Sequence, residues 1–150
     1  MRSAQATRYV PASAARGICY DFGVYFRSFS ALMVVLFAWA AELQLNDPDP
    51  IGWFAIYVAG SVVALLSALA RPRRELAGLL ALIALAWAAL IVPELWHTWT
   101  PSDLGATMSA ARPEIEYGRE FVGLLILASY CVLAAFHAAA PGWRRRRAAE

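Results

Sequence analysis

Four apolar runs, each about as long as a bilayer is thick, divide this chain, and the segments between them are in turn arginine-rich and acid-rich. An α-helix of about 20 apolar residues crosses the hydrocarbon core. In lipid a spanning segment must satisfy its own backbone, so four such runs dictate four helices. The chain has 150 residues, of which 61% are hydrophobic. A water-soluble domain this short cannot form a core large enough to bury that much apolar surface. The fold class is therefore an all-α integral membrane protein, an up-down four-helix bundle.

Arginine sets the expected orientation. All 13 cationic side chains are Arg and none is Lys, a weak pointer to a GC-rich bacterial genome. Arg2, Arg8, Arg16, Arg27, Arg71, Arg73, Arg74 and the run Arg144 to Arg147 lie at one set of helix ends. Only Arg112 and Arg119 lie at the other, which holds most of the carboxylates. Positive charge stays in the cytoplasm, so both termini are expected there, with the chain in a bacterial inner membrane. A basic tail over 1–21 leads to helices expected at about 22–45, 50–70, 75–96 and 113–140, and a basic tail over 141–150 follows. Pro50 and Pro113 are suited to the first helical position. The fourth helix would be about 40 Å long at 1.5 Å per residue, so its first turns should stand in the interface. The short link Arg71 to Arg74 makes the second and third spans antiparallel neighbours. Pro93 is a candidate kink or early stop for the third. Trp39, Trp53, Trp96, Trp99 and Tyr117 would form the outer aromatic belt, and Tyr20, Tyr25 and Trp143 the inner one.

A basic start, an apolar run and Ala38–Ala40 also resemble a secretory signal with its cleavage site. The long tail and the continuing apolar run favour a retained span. Cys19 and Cys131 fall at different depths and are poorly placed to pair. Gly60, Ala64 and Ala68 recur every four residues, as do Ala84 and Ala88, giving small faces where helices can approach closely. Arginines at helix ends suit anionic lipid headgroups, and nucleic acid is not an expected partner.

Side chains that could carry chemistry gather near the acid-rich face: Glu42, Gln44, Asn46, Asp47, Asp49, Glu94, Glu116, Arg119 and Glu120, with His97. In the structural reading Asp47 and Asp49 cap the second helix and Glu114 and Glu116 favour the positive end of the fourth. Arg119 then pairs with Glu116 or Asp47. In the sharper reading Gln44, Asn46, Asp47, Asp49, Glu116 and Glu120 offer oxygens to a divalent cation such as Ca²⁺, although their spacing is not that of an EF-hand. On the fourth helix Glu116, Gly123, Tyr130 and His137 recur every seven residues and share a sector about 60° wide. That stripe could line a proton or ion path, or Gly123 could permit packing while Tyr130 bonds a neighbour and His137 reaches the headgroups. The two His fall on opposite sides and cannot share a metal. Ser30, Ser61, Ser67 and Ser129 lack a His and an acid on the same side and are expected to bond carbonyls one turn back. No catalytic set and no cofactor are expected.

Two stretches carry a resemblance. Ala40–Asp49, reading AAELQLNDPD, is followed by Trp53 and Tyr57, and Glu116–Leu124 reads EYGREFVGL. Together and in this order they resemble the transmembrane protein 220 family, small multi-span proteins of bacteria and animals. The likeness covers about Phe37 to Leu133. Animal members carry a further C-terminal span where this chain has an arginine cluster. The family implies the fold and singles out residues, but no activity comes with it.

The leading expectation is a structural or interaction protein that docks a partner membrane protein, a second copy of itself or an ion at its outer polar cluster. A small cation or solute transporter using the fourth-helix stripe is the second reading, and it would need an oligomer. A membrane enzyme acting on lipid headgroups, with Glu116 or Asp47 as general base, is the third.

Overall fold

A computed structural model describes residues 12–46, 50–95, 100 and 113–140. Four helices account for almost all of them: α1 (Ala12–Leu43), α2 (Pro50–Ala68), α3 (Arg74–Leu95) and α4 (Pro113–Ala139). A single 3₁₀ turn, Gln44–Asn46, extends α1. No strand occurs among the described residues. Each helix contains a stretch long and apolar enough to cross a membrane: Gly23–Leu43, Pro50–Ala68, Arg74–Leu95 and Ile115–Ala139. The chain is a multi-pass membrane protein. Helix α1 starts about ten residues before the apolar window, because the Ala-rich segment from Ala12 onward continues the helix beyond the lipid-facing part.

The turn between α2 and α3 shows how local sequence sets the ends. The Arg71 amide donates to the Leu66 carbonyl at 2.7 Å and the Ala70 amide to the Ser67 carbonyl at 3.1 Å. Ala70 takes a φ of 57°. These bonds and the left-handed residue form a Schellman cap, a site where Gly is the usual occupant. Arg27 of α1 adds a third tie, donating from Nε to the Ala68 carbonyl at 3.0 Å. Helix α3 then opens when the Ala77 amide bonds the Arg73 carbonyl at 3.0 Å, with Glu75 in its positive first turn. Pro93 lies inside α3, which runs two residues further to Leu95; it has no N–H to give the Ala89 carbonyl one turn back, and the helix stops soon after it.

Helix α1 packs mainly on α2, and α3 mainly on α4; α2 joins the two pairs by touching both α4 and α3. The expected close pairing of α2 with α3 is much slighter than the short turn suggested. The small residues explain the choice. Ala77, Ala81, Ala84 and Ala88 are buried on one face of α3, and Leu124, Ala128, Cys131 and Ala134 are buried on α4. Alanine faces let backbones approach, and dispersion contacts drive packing in lipid. Cys131 is a buried free thiol. Where α2 does meet α3, the Trp53 and Trp87 rings stack with centroids 4.4 Å apart. Trp53 is only 4% exposed, so it belongs to the core and not to the aromatic belt. Trp39, Tyr117 and Tyr25 are exposed, as belt residues should be. Trp96, Trp99 and Trp143 lie outside the described residues. Leu82, Leu90 and Phe136, among others, present apolar surface outward, which lipid solvates at no cost.

Candidate functional site

The acid-bearing helix ends meet at one end of the bundle: the C-terminus of α1, the N-termini of α2 and α4, and the C-terminus of α3. The 3₁₀ turn packs on α2, so Ala40–Asn46 feeds directly onto the helix that carries Trp53 and Tyr57. Phe37 and Ala41 are buried here, next to the segment read as a possible cleavage site.

One contact joins the two sequence motifs. Gly123 of α4 lies under the phenol of Tyr57 from α2, and a Cβ built at Gly123 would collide with the Tyr57 hydroxyl oxygen. Tyr57 is buried, and Glu120, one turn before Gly123, lies within electrostatic reach of its hydroxyl. A glycine here is a requirement of close approach. One turn deeper, Gly60 of α2 meets Leu127 of α4 and Phe37 of α1; a Cβ there would collide with Leu127 Cδ1 and come 3.3 Å from the Phe37 ring. Three helices converge on that glycine.

A second polar junction lies in the arginine-side half. Tyr130 of α4 is 2% exposed and donates its hydroxyl proton to Ser30 Oγ of α1 at 3.0 Å. Ser30 donates in turn to the Phe26 carbonyl at 2.8 Å. Ser67 of α2 contacts the same phenol and donates to the Val63 carbonyl at 2.9 Å. Both serines bond one turn back, as expected in spans. Ser61 departs from that expectation and donates across to the Val34 carbonyl of α1 at 3.1 Å. Aromatic rings enclose Tyr130: Phe37 edge-on at 5.7 Å, Phe29 at 5.9 Å and Phe26 parallel at 6.4 Å. His137 stacks on Phe26 at 4.2 Å.

Glu42 is exposed near the end of α1 and Gln44 is half-buried in the 3₁₀ turn, which Asn46 closes. Glu116, Arg119 and Glu120 are half-buried in the first turns of α4. Arg119 and Glu120 both have interaction partners. Glu94 is exposed at the end of α3 and also has a partner. Asp47, Asp49 and His97 lie outside the described residues, so the proposed oxygen set for a cation is described only in part. Among the described residues no three His, Cys, Asp or Glu side chains gather closely enough to share a metal ion. On the heptad stripe, Gly123 lies against Tyr57, Tyr130 against Ser30, and His137 against Phe26. Sequence reasoning missed Ser30 and Ser67 as partners of Tyr130. The available signal was three hydroxyls at matching depth in antiparallel spans.

The family model described as "Transmembrane family 220, helix" matches residues 36–136. The chain belongs to this family. Both motifs, the Gly123–Tyr57 contact and the Tyr130 junction with Ser30 fall within its span, apart from Ser30 itself, which precedes it. The family is one of membrane proteins with uncharacterised function. No solved structure matches the chain.

Proposed function

We propose that this family member is a non-enzymatic membrane scaffold that docks a partner at its acid-bearing end. The observation that carries the reading is the Tyr57–Gly123 contact. It commits Tyr57 and Gly123, one residue from each motif, to holding α2 on α4. Glu42 remains on the rim, exposed, with Glu116 half-buried three residues before Arg119. The favoured partner is a membrane protein, or a second copy of the chain, that presents cationic groups to this rim. A divalent cation held by Gln44, Asn46, Asp47, Asp49, Glu116 and Glu120 would serve the same docking role.

The surroundings of Tyr130 favour this reading over transport within one protomer. Its ring is packed among three Phe rings and its proton is donated to Ser30. A conducting stripe would need water at that depth. We further propose that both termini face the cytoplasm, on the strength of the arginine bias, and that the membrane is a bacterial inner membrane.

Photo-crosslinking in native membranes tests the docking. A benzophenone residue replacing Glu42 should capture one discrete partner band, and the same group replacing Leu82 on the lipid face of α3 should capture lipid only. Equal capture from both positions, or none from Glu42, would refute the proposal. For the cation version, Glu116→Gln combined with Asp47→Asn should abolish any Ca²⁺-dependent rise in melting temperature. A rise that survives the pair of substitutions removes the cation from consideration.

A further inference from the structure

At the opposite end of the bundle, the structure holds a cation inside a membrane span. Arg27 lies one turn inside the apolar stretch Gly23–Leu43 and is exposed on the bundle surface. Among the described residues its hydrogen bond goes to a neutral acceptor, the Ala68 carbonyl. That bond uses one of five guanidinium N–H groups. It also fixes the head of Arg27 against the last turn of α2, three residues before Arg71. Arg71, Arg73 and Arg74 are all exposed on the turn that follows. Among the described side chains of this end, Glu75 is the single carboxylate.

We propose that Arg27 and Arg71 bind the phosphodiester of an anionic phospholipid at the junction of α1 with the α2–α3 turn. Three features support it. A guanidinium one turn below the surface is costly unless it reaches headgroup depth and meets an anion there. The planar fork of Arg matches two non-bridging phosphate oxygens. Among the described side chains of this end, four guanidiniums stand against one carboxylate, which favours a headgroup without its own amine, because a zwitterionic lipid would bring a further cation. The Schellman cap at Ala70 fixes the backbone of Arg71, and the Arg27–Ala68 bond fixes the guanidinium of Arg27, before the lipid arrives. The bound lipid would in turn clamp α1 to the turn that connects the two helix pairs. This goes beyond the docking proposal and uses the other end of the molecule.

The test uses the full chain in nanodiscs of phosphatidylcholine, with or without phosphatidylglycerol at three parts to one. Phosphatidylglycerol should raise the melting temperature of the wild type, and Arg27→Gln or Arg71→Gln should remove most of that rise. Replacing all four arginines of the run 144–147 by Gln should leave the rise in place. Native mass spectrometry of the wild type from mixed lipid should retain phosphatidylglycerol over phosphatidylcholine by about fivefold for each engaged arginine. That measurement stands even if a variant fails to fold. Inorganic phosphate at millimolar concentration should give no shift. Equal retention of the two lipids, an undiminished rise in both Gln variants, or loss of the rise only on removing the 144–147 run would overturn the proposal. A shift from inorganic phosphate equal to that from the lipid would overturn the assignment to a headgroup.

Discussion

Gly123 and Tyr57 are two residues doing one job. Gly123→Ala adds a Cβ where the Tyr57 hydroxyl already sits, and overpacking of this kind costs about 1–3 kcal/mol. Removing the hydroxyl should relieve much of it. In detergent unfolding, Gly123→Ala alone is expected to destabilise, and the double variant with Tyr57→Phe should recover more than half of the loss. Strict additivity would mean that the added methyl does not meet the Tyr57 hydroxyl. Tyr130 and Ser30 form a second pair, joined at 3.0 Å. Side-chain hydrogen bonds between membrane helices average about 0.6 kcal/mol, so the coupling in a Tyr130→Phe and Ser30→Ala cycle should be of that order. The sequence made Gly123 legible through its motif and its place in the heptad stripe. It did not reveal that Tyr57 fills the space above it, because contact across helices depends on rotation about each axis. Periodicity in one helix reports its own face and not the face opposite. Trp53 shows the same limit: a Trp near a membrane surface suggests a belt, and here stacking on Trp87 places it inside.

Among the elements, the turn from α2 to α3 invites a direct test. Ala70 occupies a left-handed conformation that costs an L-residue roughly 1–2 kcal/mol and Gly almost nothing. Ala70→Gly is therefore expected to stabilise the protein by about 0.5–1 kcal/mol, after the extra freedom of Gly in the unfolded chain is deducted. Unfolding in detergent measures it, and a loss of stability would contradict the cap as described. The limits of α2, α3 and α4 were legible to within about two residues, because Pro50, Pro113 and the arginine turn mark them. The early start of α1 was not legible, since arginines among alanines read as a tail although alanine favours helix. Helix pairing was also hidden. The short turn brings the ends of α2 and α3 together, but the alanine face of α3 has its complement on α4.

For the whole molecule, the account reduces to four spans with the two motifs meeting at one end and the arginine turn at the other. Lipid on the outside explains the exposed leucines, the alanine-lined contacts and the placing of charge within about a turn or two of the ends of the apolar stretches. Scanning accessibility tests this most directly. In a background with Cys19 and Cys131 replaced by Ala, single cysteines at Leu45, Tyr117 and Arg73 are treated in intact cells with a membrane-impermeant maleimide. The account predicts labelling of Leu45→Cys and Tyr117→Cys from outside, and of Arg73→Cys only after permeabilisation. Leu45→Cys and Tyr117→Cys reacting from different sides would contradict it.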